Sequence, residues 1–256
     1  MNIELPHLLL LGVLGLAIGS FLNVCIHRIP REQSLSHPPS RCPSCGYSLR
    51  WFDNLPVVSY AAIGGRCRKC RVRISPRYPA VELATAALFV IHGLNFGWTP
   101  LLAVRLLFAC AMVVLFAIDL EHHLLPDVIT LPGIAVGLAA STLLPPGIRD
   151  SLVGALAGGG VLWLVGEAYY RYSGQEGMGG GDVKMLAMIG AFLGWKLALL
   201  TLVLSSFAGS FVGLFVVLLK RGGMKYALPY GTFLALGALA ASLVGDRILG
   251  WYLSFY

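Results

Sequence analysis

Long apolar runs separated by short polar stretches make up most of this chain. A bilayer is crossed by roughly 20 consecutive apolar residues in a helix. On that measure the pattern predicts spans near 5–26, 79–96, 101–119, 128–144, 149–171, 183–194, 196–219 and 228–254. The sixth is short. From Asp182 to Lys220 the chain is apolar almost throughout, and Gly194-Trp195-Lys196 is its one break. Small residues recur at helical spacing, Gly154 and Gly158 in the fifth run and Gly209 and Gly213 in the seventh, as close helix contact in lipid requires. One interval departs from the pattern. Residues 28–77 are polar and basic and read as a separate module. The expected fold is an all-α polytopic membrane protein with about eight transmembrane helices and a small module inserted after the first. Three parts follow: 1–27 as the first helix, 28–78 as the module, and 79–256 as the membrane-embedded remainder.

Composition supports the membrane reading. The 256 residues are 57% hydrophobic and 12% charged, against roughly 25% charged in a soluble domain. A net charge of +7 would suggest nucleic acid for a soluble protein; here its distribution says more. Segment 28–77 holds ten of the 19 lysines and arginines. Arg171 and Lys184 flank a glycine-rich stretch, and Lys220, Arg221 and Lys225 follow the seventh run. Arg105, Arg149, Lys196 and Arg247 are left for the other face. The positive-inside rule then places 28–77, 119–127, 171–184 and 220–227 in the cytoplasm and the N-terminus outside. The first run lacks the marks of a cleavable signal: Glu4 precedes it, and Arg28 and Arg31 lie beyond its far end.

The module carries Cys42-Pro-Ser-Cys45 and Cys67-Arg-Lys-Cys70, with 21 residues between the pairs. Two such knuckles supply four thiolates to one tetrahedral zinc. Two disulfides are the competing arrangement, which a reduced cytoplasmic loop disfavours. Four cysteines leave no open coordination position, so the metal would be structural. It would stabilise a module of about 50 residues, too small to fold on its core alone. Held between membrane helices, the basic module is expected to meet anionic lipid headgroups and no nucleic acid. Cys25 and Cys110 lie within spans and read as small apolar residues.

The acids carry the chemistry. Asp119 ends the third run, followed by Glu121, His122, His123 and Asp127. Asp182 closes Gly177-Met-Gly-Gly-Gly-Asp182 and opens the next run. On the predicted topology both acids lie at the cytoplasmic rim and can meet. Two close carboxylates share a proton. Such a pair can draw a proton from water and polarise a peptide carbonyl. No G-x-S-x-G elbow, H-E-x-x-H helix or H-x-x-x-H pair occurs. The residues alone leave three readings open: an aspartic protease, an ion-coupled transporter with a structural zinc module, or structural acids. Asn23, polar at membrane depth, is expected to bond a neighbouring helix. Glu82 stands near the start of the second run, where a carboxylate is favourable.

Beyond single motifs, the chain resembles the type IV prepilin peptidases, a branch of the G-x-G-D intramembrane aspartic proteases. The likeness runs through Gly-Ser-Phe-Leu-Asn-Val at 19–24, both C-x-x-C pairs, Asp53-Asn-Leu-Pro, Ser75-Pro-Arg-Tyr-Pro with Glu82, and Asp119 with Leu125-Pro-Asp127. It continues through Gly179-Gly-Gly-Asp-Val-Lys184 and Pro229-Tyr-Gly231. The resemblance implies a bifunctional enzyme of the bacterial inner membrane. Such an enzyme cuts the basic leader from type IV prepilins or type II secretion pseudopilins after a glycine, on the cytoplasmic side. It then methylates the new N-terminus with S-adenosylmethionine. It also implies that Asp119 and Asp182 are the protease pair, and that a chain with the four-cysteine module carries the methyltransferase activity. No segment of 28–77 looks like a G-x-G-x-x-G loop; Glu82 and Asp53 are the candidates for the methyl-donor half.

Overall fold

The computed structural model describes residues 4–175, 179–219 and 228–255. Gly177 and Met178 of the glycine-rich stretch lie outside the described residues, as do Lys220, Arg221 and Lys225. The described chain is helical: α1 (Leu5–Arg28), α2 (Val58–Ala62), α3 (Arg77–Phe96), α4 (Pro100–His122), α5 (Asp127–Ala140), α6 (Ile148–Ser173), α7 (Gly180–Leu219) and α8 (Tyr230–Leu253). Extended structure among the described residues is confined to two isolated bridges, Arg41 with Ser48 and Arg66 with Arg73. Six helices are long and apolar enough to cross a membrane, and α5 is a shorter apolar helix. The sixth and seventh predicted runs form one element, α7, broken at Gly194. Its φ of 79° and ψ of 169° lie where only glycine is at ease, and a Cβ there would stand 3.1 Å from the Pro146 ring.

The chain divides within α4 into two compact units, Met1–Val114 and Leu115–Tyr256. In the first, α1 packs along α3. A Cβ on Gly15 would sit 2.6 Å from Ala86 Cα, and one on Gly19 2.7 Å from Glu82 Cα, so the two backbones touch. In lipid, where apolar burial gives helices little reason to associate, such close contact is the main attraction. Asn23 adds the polar bond expected of it, donating from Nδ2 to the Tyr78 carbonyl at 3.0 Å. Leu11, Phe89 and Leu102 form a core on which Cys110 packs. At the end of α1, the buried Arg28 donates to the Ser34 and Pro38 carbonyls at 2.7 and 2.6 Å, folding the chain into the module.

In the second unit the first half of α7 is the core. Met185, Leu186, Met188, Ile189 and Ala191 are fully buried, with α5, α6 and α8 packed on this helix. Gly154 of α6 and Gly190 of α7 meet backbone to backbone, and Gly158 abuts the Leu186 carbonyl. The predicted small-residue face of the fifth run is therefore the α6–α7 contact. Outward-facing Leu156, Trp163, Phe207, Phe211 and Leu214 present an apolar surface suited to lipid.

Replacing Gly190 by Ala places a methyl against the Gly154 carbonyl and is expected to cost about 1–3 kcal/mol. Gly160 faces open space, and its replacement by Ala is expected to be neutral or stabilising by up to about 1 kcal/mol. Thermal unfolding of the two variants in detergent checks the pair.

Candidate active site

The two C-x-x-C knuckles converge. The sulfurs of Cys42, Cys45, Cys67 and Cys70 all lie within 4.8 Å of one another. Cys42–Cys70 is 3.8 Å and Cys45–Cys67 is 3.9 Å. A tetrahedral zinc with bonds of about 2.3 Å holds its sulfurs about 3.8 Å apart, so the cage fits such an ion. The six cysteines are unpaired as disulfides. Each knuckle is closed by backbone bonds, Gly46 N–H to the Cys42 carbonyl and Arg71 N–H to the Cys67 carbonyl. The N–H groups of Cys70 and Lys69 pull the Cys67 thiol down to about 6, while, against the Val72 N–H, desolvation and the neighbouring sulfurs push Cys70 up to about 11. Among the described residues, His122 and His123 belong to no potential metal cluster.

Both acids singled out in and beside the module are engaged by it. Asp53 accepts from Arg68 Nε at 2.5 Å, from the Arg50 N–H at 3.1 Å and from the Tyr47 hydroxyl at 3.2 Å. Desolvation works against the charged form, but these donors, Arg68 first, hold the Asp53 carboxyl below the usual range. Arg50 and Arg68 also stack over Phe52. Glu82 is buried, and its Oε2 accepts the Val57 N–H at 2.8 Å. Val57 needs that hold. With φ 59° and ψ −47°, and with Val58 N–H bonded to the Pro56 carbonyl, it is the centre of a strained γ-turn, rare for a β-branched residue. Glu82 was expected to answer a helix macrodipole; its sixth position in α3 puts it instead across from a turn 25 residues away.

The second unit assembles the two aspartates. Asp119 lies near the end of α4 and is 5% exposed. Its Oδ2 accepts the Thr232 N–H at 2.6 Å and the Thr232 hydroxyl at 3.0 Å. Thr232 stands in the first turn of α8, where backbone N–H groups have no helical partner. Asp182 lies in the first turn of α7, with its N–H bonded to the Gly179 carbonyl. Thr232, which holds Asp119, and Asp182 each directly follow a glycine, Gly231 and Gly181. Leu125 occupies the space beside both Gly181 and Gly231. A Cβ on either glycine would come within 2.9 Å of it, and on Gly231 within 3.0 Å of Asp119 Oδ2. The starts of α7 and α8 thus close on Leu125, with no room for a side chain at Gly181 or Gly231, while Gly180 faces open space.

Sequence reasoning gave no role to three members of this neighbourhood. Thr232 directly follows the Pro-Tyr-Gly motif, and a hydroxyl at a predicted helix start was a usable signal. Lys184 binds both oxygens of Asp127 at 2.8 and 2.7 Å; in the sequence it counts for topology and closes the glycine-rich motif, with no partner indicated. Tyr230 bonds the Ser205 and Ser206 hydroxyls at 3.1 and 3.2 Å. Its ring lines a cleft of about 470 Å³ with Val161, Leu162, Ser206, Gly209 and Phe233, between α6, α7 and α8.

Apolar spanning helices together with paired acids at adjoining helix ends define a polytopic membrane protein with a two-carboxylate site. The model of the type IV leader peptidase family matches residues 106–214, and that of the bacterial peptidase A24 N-terminal domain matches residues 13–96. The chain is 39% identical to a prepilin leader peptidase/N-methyltransferase of Pseudomonas aeruginosa, over 95% of this chain and 92% of the relative. An Aeromonas salmonicida protein of the same name is 39% identical over 96% and 93%. One from Myxococcus xanthus is 43% identical over 81% and 62%. No solved structure matches. The chain belongs to the type IV leader peptidase family, and the transporter reading is set aside.

The thiol cage predicts one equivalent of tightly bound metal in the purified protein. Elemental analysis should find it in the wild type, and Cys67→Ser should lower it by roughly tenfold or more.

Proposed function

We propose that this protein cleaves prepilins or pseudopilins after a glycine at the cytoplasmic face of the bacterial inner membrane, and then methylates the new N-terminus. The observation that carries the proteolytic half is the convergence of the starts of α7 and α8, which bear Asp182 and the Thr232 that holds Asp119, on the one Leu125 side chain. Asp119 already accepts two hydrogen bonds at one oxygen and suits the ionised role, taking a proton from the attacking water. Asp182 suits the protonated role and polarises the scissile carbonyl. As the tetrahedral intermediate collapses, a proton passes to the leaving amine. Backbone left bare by Gly179 and Gly180 lets an extended substrate lie close to the pair. A leader rich in positive charge would stay in the cytoplasm while the apolar segment after the cut enters the bilayer, which puts the scissile bond at the rim.

The cysteine cage is assigned to a structural zinc held by Cys42, Cys45, Cys67 and Cys70. Bound there, zinc contributes folding energy to the module. The cytoplasmic placement of module and site, with the N-terminus outside, rests on the distribution of basic residues. It is consistent with Lys184 and Asp127 sharing one end of the helices. S-adenosylmethionine is assigned as the methyl donor on the strength of the relatives' names. Glu82 and Asp53 serve that half by shaping the module through the turn and the guanidinium they hold.

The test is incubation with a membrane-embedded prepilin followed by mass measurement of the product. Wild type should yield the pilin lacking its leader and carrying one added methyl. Asp119→Asn and Asp182→Asn should each lower cleavage by roughly a thousandfold or more while unfolding at the wild-type temperature. Normal cleavage by either variant rejects the pair. Thr232→Val keeps the N–H and loses the hydroxyl donor, and should slow cleavage by roughly tenfold.

A further inference from the structure

We infer that Asp127 and Lys184 form a clip that positions Asp182 for peptide cleavage. The inference rests on the aspartate pair being the catalytic one. Lys184 Nζ reaches both Asp127 oxygens, at 2.8 and 2.7 Å. Neither side chain is buried: 40% of the lysine side chain and 54% of the aspartate's is exposed. The pair is therefore not there to satisfy a buried charge. Nor does α7 gain from it alone. Lys184 is the fifth residue of that helix, and a cation near a helix N-terminus opposes the macrodipole. Asp127, the first residue of α5, supplies the counter-charge from another element.

What the pair joins gives it meaning. Lys184 is two residues beyond Asp182, and Asp127 is two residues beyond Leu125. Leu125 packs beside Gly181 and Gly231, and the residue after Gly231 holds Asp119. The ion pair, the Leu125 contact and the Thr232 bond thus link the starts of α5, α7 and α8 around the two acids. An ion pair in water adds little to global stability. It can still fix the register between two segments whose relative shift changes the separation of the carboxylates. A displacement of about 1 Å in a catalytic group costs on the order of a hundredfold in rate. The clip is accordingly expected to act on turnover and not on folding or substrate affinity.

The test measures kcat and KM for cleavage of a membrane-embedded prepilin, with the unfolding temperature of each variant alongside. Asp127→Lys and Lys184→Asp should each lower kcat by roughly tenfold to a hundredfold, with KM within about threefold and unfolding unchanged. The double exchange restores an opposite pair and should recover kcat to within about threefold of wild type, as should Lys184→Arg. If a reversed variant does not fold, Asp127→Asn and Lys184→Gln carry the same comparison without like-charge repulsion. Single variants turning over at the wild-type rate overturn the clip. So does a double exchange no better than the worse single, or a loss confined to KM. Failure of the underlying site is separable: Asp182→Asn would then still cleave. An inactive Asp182→Asn beside an unimpaired Lys184→Asp sinks the clip alone.

Discussion

The two hydrogen bonds from Thr232 to Asp119 are what the membrane unit is built around. A carboxylate buried at the end of a span has little water to satisfy it and needs donors from the protein. The first turn of a helix has backbone N–H groups without helical partners, and α8 starts where Asp119 needs one. The bond joins residues 113 apart in sequence. It therefore requires α8 to return to the end of α4, and the glycine before Thr232 lets the backbone come that close. The same logic puts Asp182 in the first turn of α7. Each acid is tied to a helix start, and those starts share Leu125 as a neighbour.

Glycine makes the convergence possible in a solvent that does not drive apolar surfaces together. Between α6 and α7 the contact is backbone on backbone at Gly154 and Gly190. Between α1 and α3 it is Gly15 and Gly19 against Ala86 and Glu82. Close backbone approach yields dense dispersion contact, the attraction available to helices in lipid. The price is sensitivity: a single methyl at these positions has nowhere to go. The outward faces, free of that constraint, carry large apolar side chains.

The module solves a different problem. It is polar, basic and short, so its order comes from specific contacts. Four sulfurs gather into one cage, Asp53 collects three donors, and Glu82 holds a strained valine. Each of these is an electrostatic or hydrogen-bonded device standing where an apolar core would otherwise be.

Some of this was legible in the chain alone. Apolar runs marked where the membrane helices lie, because the bilayer's thickness is fixed; among the described residues six helices reach that length, α5 falls short of it, and the sixth and seventh runs join in α7. The break at Gly194 was visible as the only interruption of a long run. Cysteine spacing pointed to one cage, and Asp119 and Asp182 stood out because acids at span ends are costly. Tertiary structure decided which groups answer those acids. Which partners Thr232, Leu125, Asp127 and Lys184 find has no local signature, since a hydrogen bond or ion pair across more than fifty residues depends on how helices return to one another. Glu82 shows the same limit: its position predicted a dipole partner, and folding gave it a distant backbone N–H instead. Periodicity and spacing are properties of neighbours along the chain, whereas the site is made of neighbours in space.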